Sequence, residues 1–165
     1  MVDSIVKNIT DLLGGSIAAE WIIFIISMIP ILELRGGIIA AKFLGVNWKL
    51  ALGICMIGNM IPIPFILLFI KKIFEWMKKT RFHKIPEFFE KKANAKAESI
   101  LKYKKLGLFL FVAIPLPGTG AWTGALAASL LGIKLKDAII SILAGVVTAG
   151  IIMSIFSYGF LGLFF

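Results

Sequence analysis

Apolar residues run almost unbroken through four stretches of the chain, Trp21–Leu44, Leu50–Ile70, Leu106–Ile133 and Ala138–Phe165. Each reaches the ~20 residues that cross the hydrocarbon core of a bilayer as one helix. Two of the four are interrupted at their centres. The first carries Met28-Ile-Pro-Ile-Leu-Glu-Leu-Arg-Gly-Gly37, and the third carries Ala113-Ile-Pro-Leu-Pro-Gly-Thr-Gly-Ala-Trp-Thr-Gly124. Proline removes a backbone donor and glycine permits turns that other residues resist, so both predict a break between two short helices. Leu50–Ile70 predicts a full span, kinked in its second half by Pro62 and Pro64 and ended by Lys71-Lys72. Ala138–Phe165 predicts the last span. Ahead of them, Val2, Ile5, Val6, Ile9, Leu12 and Leu13 recur at helical spacing opposite Asp3, Lys7, Asn8 and Asp11, until Gly14-Gly15 ends the pattern. That is an amphipathic helix, too short and polar to span. Its acids and the lack of a basic leader distinguish it from a signal peptide.

The broken stretches belong to a repeat. A shift of 117 − 30 = 87 residues places Pro30 on Pro117 and Gly37 on Gly124. The same shift matches Ala40-Ala41 with Ala127-Ala128, Leu44-Gly45 with Leu131-Gly132, Lys49 with Lys136, Ala51 with Ala138 and Gly58 with Gly145. Broken apolar segments at corresponding points of two halves point to a transporter's binding site. The expected fold is an all-α integral membrane protein of two inverted repeats, each a re-entrant helical hairpin followed by a transmembrane helix. Its parts are an amphipathic helix over residues 1–15, repeat 1 over 20–70, a basic loop over 71–105 and repeat 2 over 106–165. Two full spans per repeat, which would make the halves parallel, is the competing topology.

Composition agrees: 59% of the residues are hydrophobic, with a mean hydropathy of +0.97. The net charge of +9 is concentrated, because Lys71–Lys105 holds twelve basic residues and four acids, or +8. By the positive-inside rule that loop is expected to be cytoplasmic; the expected location is a prokaryotic cell (inner) membrane. Its lysines and aromatics fit a surface resting on anionic lipid headgroups, and the flanking apolar spans explain the charge without nucleic acid. Pro86 is expected to break this loop before a second helix carrying Phe89, Ala93, Ala97 and Leu101 in one row; His83 reads as solvated. Cys55 is the one cysteine and reads as a packing residue, so neither disulfide nor metal chemistry is expected. A chain of 165 residues encloses little space alone, and a homo-oligomer, with a dimer favoured, is the expected assembly.

Candidate chemistry sits in the breaks. Arg35 is one of two arginines and the only one in an apolar stretch. An arginine at membrane depth costs ~3 kcal/mol or more, so it needs a partner or a task. Either it pairs with Glu33 or Glu20 to pin the hairpin, or its planar donor fork binds phosphate or carboxylate beside helix N-termini. Glu33 could neutralise Arg35, carry a proton, or bind a cation directly. Gly36 and Gly37 would supply the turn and, with Glu33 and Arg35, are substrate-binding candidates. In the second break Thr119, expected to cap the helix restarting near Ala121, joins Gly120, Trp122 and Thr123 as substrate-binding candidates. Asn59, polar at membrane depth, would line the cavity or bond a neighbouring helix. No catalytic triad, paired carboxylates, phosphate-binding glycine loop or metal-ligand spacing occurs, which argues against an enzyme.

The tract Pro30-x-x-Glu33-Leu-Arg35-Gly36-Gly37-Ile, with Pro115-Leu-Pro-Gly-Thr-Gly-Ala-Trp-Thr-Gly124, resembles the small multidrug export protein family over nearly the whole chain. That family is distantly similar to the DedA/VTT superfamily. The resemblance implies inverted re-entrant hairpins and either proton-linked transport or lipid flipping, including of polyprenyl phosphates. Glu33 and Arg35 match the acidic and basic positions of the first hairpin. The second tract has no arginine where DedA proteins usually carry them, so only those two residues are carried over. The leading expectation is a secondary transporter or flippase for an amphipathic anion such as a polyprenyl phosphate or phospholipid. A proton-coupled exporter of small cationic drugs and a non-transporting membrane scaffold are the alternatives.

Overall fold

In α1 (Ala19–Met28), Ile22, Ile23, Ile26 and Ser27 form one buried face. In the computed structural model, which describes residues 19–81, 83–88, 90–91, 105–116 and 118–160, every regular element is helical. The expected N-terminal helix, the Ala93–Leu101 row, Pro117 and the last five residues of the final span lie outside the described residues.

α1 ends where Pro30 forbids its continuation. α2 (Glu33–Phe43) then buries nearly its whole circumference through Leu34, Gly36, Gly37, Ile38, Ala40 and Ala41. Its C-terminus closes as a Schellman motif. Val46 N–H donates to the Ala41 carbonyl at 2.9 Å and Gly45 N–H to that of Lys42 at 3.2 Å, with Gly45 at φ +70°. Asn47 then caps α3 (Trp48–Met60) by accepting from the Lys49 N–H at 3.0 Å. Small residues let three helices approach, because Ala51, Cys55 and Gly58 face α1 and α2 across α3.

The first long helix departs from expectation at both ends. α3 and α4 (Pro62–Lys78) form a 31-residue span, Trp48–Lys78, with one turn residue at Ile61 where Pro62 opens α4. It continues past Lys71-Lys72 because lysine is a good helix former, so a lysine pair does not end a helix. In the loop beyond, residues 84–88 are helical, and Pro86 lies inside the first turn instead of before it. There a missing N–H costs nothing. Lys78 pairs with Glu90 at 2.7 Å.

α5 (Lys105–Ala113), a second break and α6 (Ala121–Leu130) follow, then α7 (Leu135–Ser154) and one π-helical stretch, Ile155–Phe160. The second span, Leu135–Gly159, is the other helix among the described residues that is long and apolar enough to cross a membrane. Large apolar side chains stand exposed along both spans, among them Ile57, Phe65, Phe69, Ile140 and Ile151. A water-soluble protein would bury such a row; a bilayer solvates it.

Two compact units result: residues 1–61 with 146–165, and residues 62–145. In the first, α1, α2 and α3 pack on one another, and α2 also meets the π-helical stretch. In the second, α6 packs on α4 and α5, and Lys105 bridges to Asp137 at 2.7 Å.

The repeat is visible within each unit. Leu131, Gly132 and Ile133 make the same three C-terminal bonds at 2.9, 3.2 and 2.9 Å as Leu44, Gly45 and Val46, and Gly132 also sits at φ +70°. Ahead of the breaks, however, the register is 85 and not 87. Gly58 lies against the Phe24 carbonyl and Ser27, whereas Gly145 lies against the Phe109 carbonyl and Val112. Pro30 therefore corresponds to Pro115, and the second break is two residues longer. At Gly45 and Gly132 an added Cβ would meet nothing within 4 Å, so only backbone strain opposes a side chain. Gly45→Ala and Gly132→Ala are expected to cost about 1 kcal/mol each and nearly equally. Thermal melts followed by tryptophan fluorescence in mild detergent check this.

Candidate functional site

The first break is a turn made without glycine. Ile29 N–H closes a tight turn on the Ile26 carbonyl at 3.2 Å, and Glu33 N–H donates to the Ile29 carbonyl at 3.0 Å. Between them the chain passes through Ile31 at φ +80° and Glu33 at φ +50°. Left-handed backbone at a β-branched residue is costly, and such strain concentrates at functional sites. Ile31 is 95% exposed, so burial of its own side chain does not compensate.

The strain aims two charges. Glu33 is buried at the first turn of α2, and Arg35, half-buried, interacts electrostatically with it. On a regular helix residues two apart face different ways. The left-handed conformation at Glu33 departs from that regular path, and here the carboxylate also meets the positive end of the helix dipole. Gly36 and Gly37 play another part than the one expected of them. Both lie inside α2, and their missing side chains let α1 and α3 come close. A Cβ on Gly36 would approach that of Leu32 to 3.0 Å, and one on Gly37 would collide with Ser27 Oγ and come within 2.7 Å of Cys55 Sγ.

Asn59, near the end of α3, is buried, and its Oδ1 has no hydrogen-bond partner among the described residues. Ser27 is also fully buried; its hydroxyl donates to the Ile23 carbonyl at 2.7 Å. Glu33, Asn59, Ser27 and Cys55 thus give the first unit a polar interior. Ser27 and Cys55 are additions to the expected site residues; the available signal is a serine and a cysteine interrupting apolar runs one helix apart.

At the corresponding later positions stand Gly120 for Glu33, Trp122 for Arg35, Val112 for Ser27, Ile142 for Cys55 and Val146 for Asn59. Every polar group is replaced. The second break, in the other unit, is held by its own hydroxyls. Thr119 Oγ1 lies 2.8 Å from both the Ile114 and Leu116 carbonyls and accepts from Leu116 N–H at 3.3 Å. It does not cap α6, whose N-cap is Gly120 at φ +138°. The carbonyls just past the end of α5 lack helical partners, and the hydroxyl reaches back to them. Thr123 donates to the Gly120 carbonyl at 3.4 Å, Trp122 is half-buried, and a Cβ on Gly124 would come within 2.7 Å of Val112. The charged candidates are therefore confined to the first unit, and the threonines of the second stitch their own turn.

A family model described as "Putative small multi-drug export protein" matches residues 33–152, from Glu33 at the end of the first break through the second break and most of α7. No curated protein and no solved structure matches the chain at comparable stringency. With that match covering well over half of its length, this helical chain with two membrane-long apolar helices belongs to the small multi-drug export protein family.

Proposed function

We propose that the protein is a proton-linked secondary transporter or flippase for an amphipathic anion, with Arg35 as the anion's counter-charge and Glu33 as the proton carrier. The observation that carries this reading is the buried Glu33 in electrostatic contact with Arg35 at a strained break. In the empty protein the carboxylate neutralises the guanidinium. A phosphate or carboxylate group that takes its place leaves Glu33 charged in an apolar site, unless a proton arrives with the substrate. Anion and proton then move together and the site stays neutral throughout. A polyprenyl phosphate or phospholipid would keep its tail in lipid, so no large enclosed cavity is needed. In this reading the two hairpins are re-entrant and inverted, with the basic loop cytoplasmic.

Cationic drug export is the second reading, favoured by the family's description. A cation there must displace a guanidinium tethered two residues away, which makes Glu33 a poor cation site unless Arg35 withdraws. Proteoliposomes loaded with the pH dye pyranine separate the readings. Farnesyl phosphate added outside is expected to acidify the lumen faster than in protein-free vesicles. Arg35→Ala and Glu33→Gln should both lose that difference. Proton flux driven by ethidium instead, and abolished by Glu33→Gln alone, decides for cation export.

A further inference from the structure

The first unit carries a partly open apolar slot of about 500 Å³ whose walls do not include Glu33 or Arg35. That is within the ~300–1,000 Å³ of small-molecule sites. Its walls are Trp48, Leu52, Ile151, Ser154, Ile155 and Tyr158. Three features distinguish it from an ordinary lipid-facing groove.

The first is charge. Lys42 Nζ stands 5.6 Å from the centre of the Tyr158 ring, and Lys49 Nζ stands 5.6 Å from that of Trp48. Each aromatic wall thus carries an ammonium group. The second is Ser154, a wall residue 6% exposed, whose buried Oγ has no hydrogen-bond partner among the described residues. A hydroxyl kept unpaired in an apolar wall costs stability. The third is the backbone, since Ile155, Tyr158 and Gly159 belong to the π-helical stretch. Single π turns are uncommon and recur at functional sites. Here the turn is fixed by Tyr158, whose hydroxyl donates to the Val46 carbonyl at 2.8 Å, beside the Schellman turn. Trp, Tyr and Lys at one level is the composition of a membrane–water boundary.

We infer that this slot binds an anionic phospholipid, with one acyl chain between Trp48, Leu52, Ile151 and Ile155 and the phosphate against Lys42 and Lys49. The chemistry selects that occupant. A water-soluble anion gains nothing from the apolar walls, a zwitterionic lipid carries no net charge to the two ammonium groups, and a cationic amphiphile is repelled by them. This site does not depend on the Glu33–Arg35 reading.

Native mass spectrometry of the full chain from mixed micelles of phosphatidylglycerol and phosphatidylcholine tests it. The wild type is expected to retain one phosphatidylglycerol per protomer in preference to phosphatidylcholine. Lys42→Gln with Lys49→Gln should weaken that retention roughly 30-fold, the factor given by two lysines at ~1 kcal/mol each. Gly159→Leu should abolish it, because a Cβ there meets nothing closer than Ile155 Cγ2 at 4.0 Å and the side chain can grow into the slot. Neutralising Lys71, Lys72, Lys78 and Lys79 should leave it intact. Lys42 is half-exposed and Lys49 exposed, so the lysine double variant keeps its fold and decides the matter even where Gly159→Leu does not. Equal retention by wild type and the lysine double variant, or loss only on neutralising the loop lysines, overturns the proposal.

Discussion

Gly58→Ala and Gly145→Ala are expected to destabilise the folded protein severely, each by about 3 kcal/mol or more, although each adds a single methyl group. At Gly58 the new Cβ would sit 2.7 Å from the Phe24 carbonyl oxygen and 3.2 Å from the Ser27 Cβ. At Gly145 it would sit 2.6 Å from the Val112 Cβ and 3.0 Å from the Phe109 carbonyl oxygen. Helix backbone and a β-branched side chain cannot turn aside, so the helices must separate. Overpacking of this kind reaches the upper end of single-substitution effects, against a total stability of only ~5–15 kcal/mol. Gly53 on α3 is the internal control, since a Cβ there meets nothing within 4 Å. Gly53→Ala should be neutral or up to ~1 kcal/mol stabilising through helix propensity. Size-exclusion profiles and tryptophan melts of the three variants side by side provide the measurement. A folded, monodisperse Gly58→Ala would mean that α1 and α3 are not in this close contact.

These two glycines show what the sequence can and cannot convey. Their separation of 87 residues places them in a repeat, and a repeat of broken apolar segments yields the helix–break–helix–span order from the pattern alone. The register ahead of the breaks is not legible. Pro30, Pro115 and Pro117 offer two pairings, and only the contacts of Ser27 with Gly58 and of Val112 with Gly145 choose 85 over 87. Gly36 and Gly37 mislead for a physical reason: glycine serves both turns and close helix contacts, and nearness to Pro30 suggests the turn. The turn instead strains Ile31 and Glu33, residues that local propensity would never place at positive φ. Thr119 misleads similarly, because a hydroxyl before a helix can cap forward or bond backward. Glu33, Arg35 and Asn59 are legible because polar groups in apolar stretches need an account. The slot near Trp48 is not, since it draws on residues about a hundred positions apart and on a π turn that no local pattern announces.

The Glu33–Arg35 pair should behave non-additively, and the signs of its separate parts give the second large effect. Arg35→Ala leaves a buried carboxylate without its counter-charge, expected to cost roughly 3 kcal/mol, the lower end for breaking a buried pair because Arg35 itself is half-buried. Glu33→Gln leaves a long, half-buried guanidinium that can extend toward water, so its cost should be roughly 1 kcal/mol. The double variant Glu33→Gln, Arg35→Ala removes both charges together and should be less destabilised than Arg35→Ala alone. Lowering the pH should rescue Arg35→Ala and leave the double variant unaffected, because a protonated Glu33 no longer needs a cation. The sign is opposite to the acid lability of an ordinary salt bridge, where protonation removes a favourable partner. Transport should not follow stability. Losing one charge-assisted contact weakens anion binding about 10- to 100-fold, and the double variant, folded but chargeless, should be as inactive as either single one. Melts between pH 5 and 8 beside the pyranine assay read both quantities on the same preparations. If the stability costs of the single variants simply add in the double variant, Glu33 and Arg35 act independently, and the neutral-site coupling of proton and anion loses its structural basis.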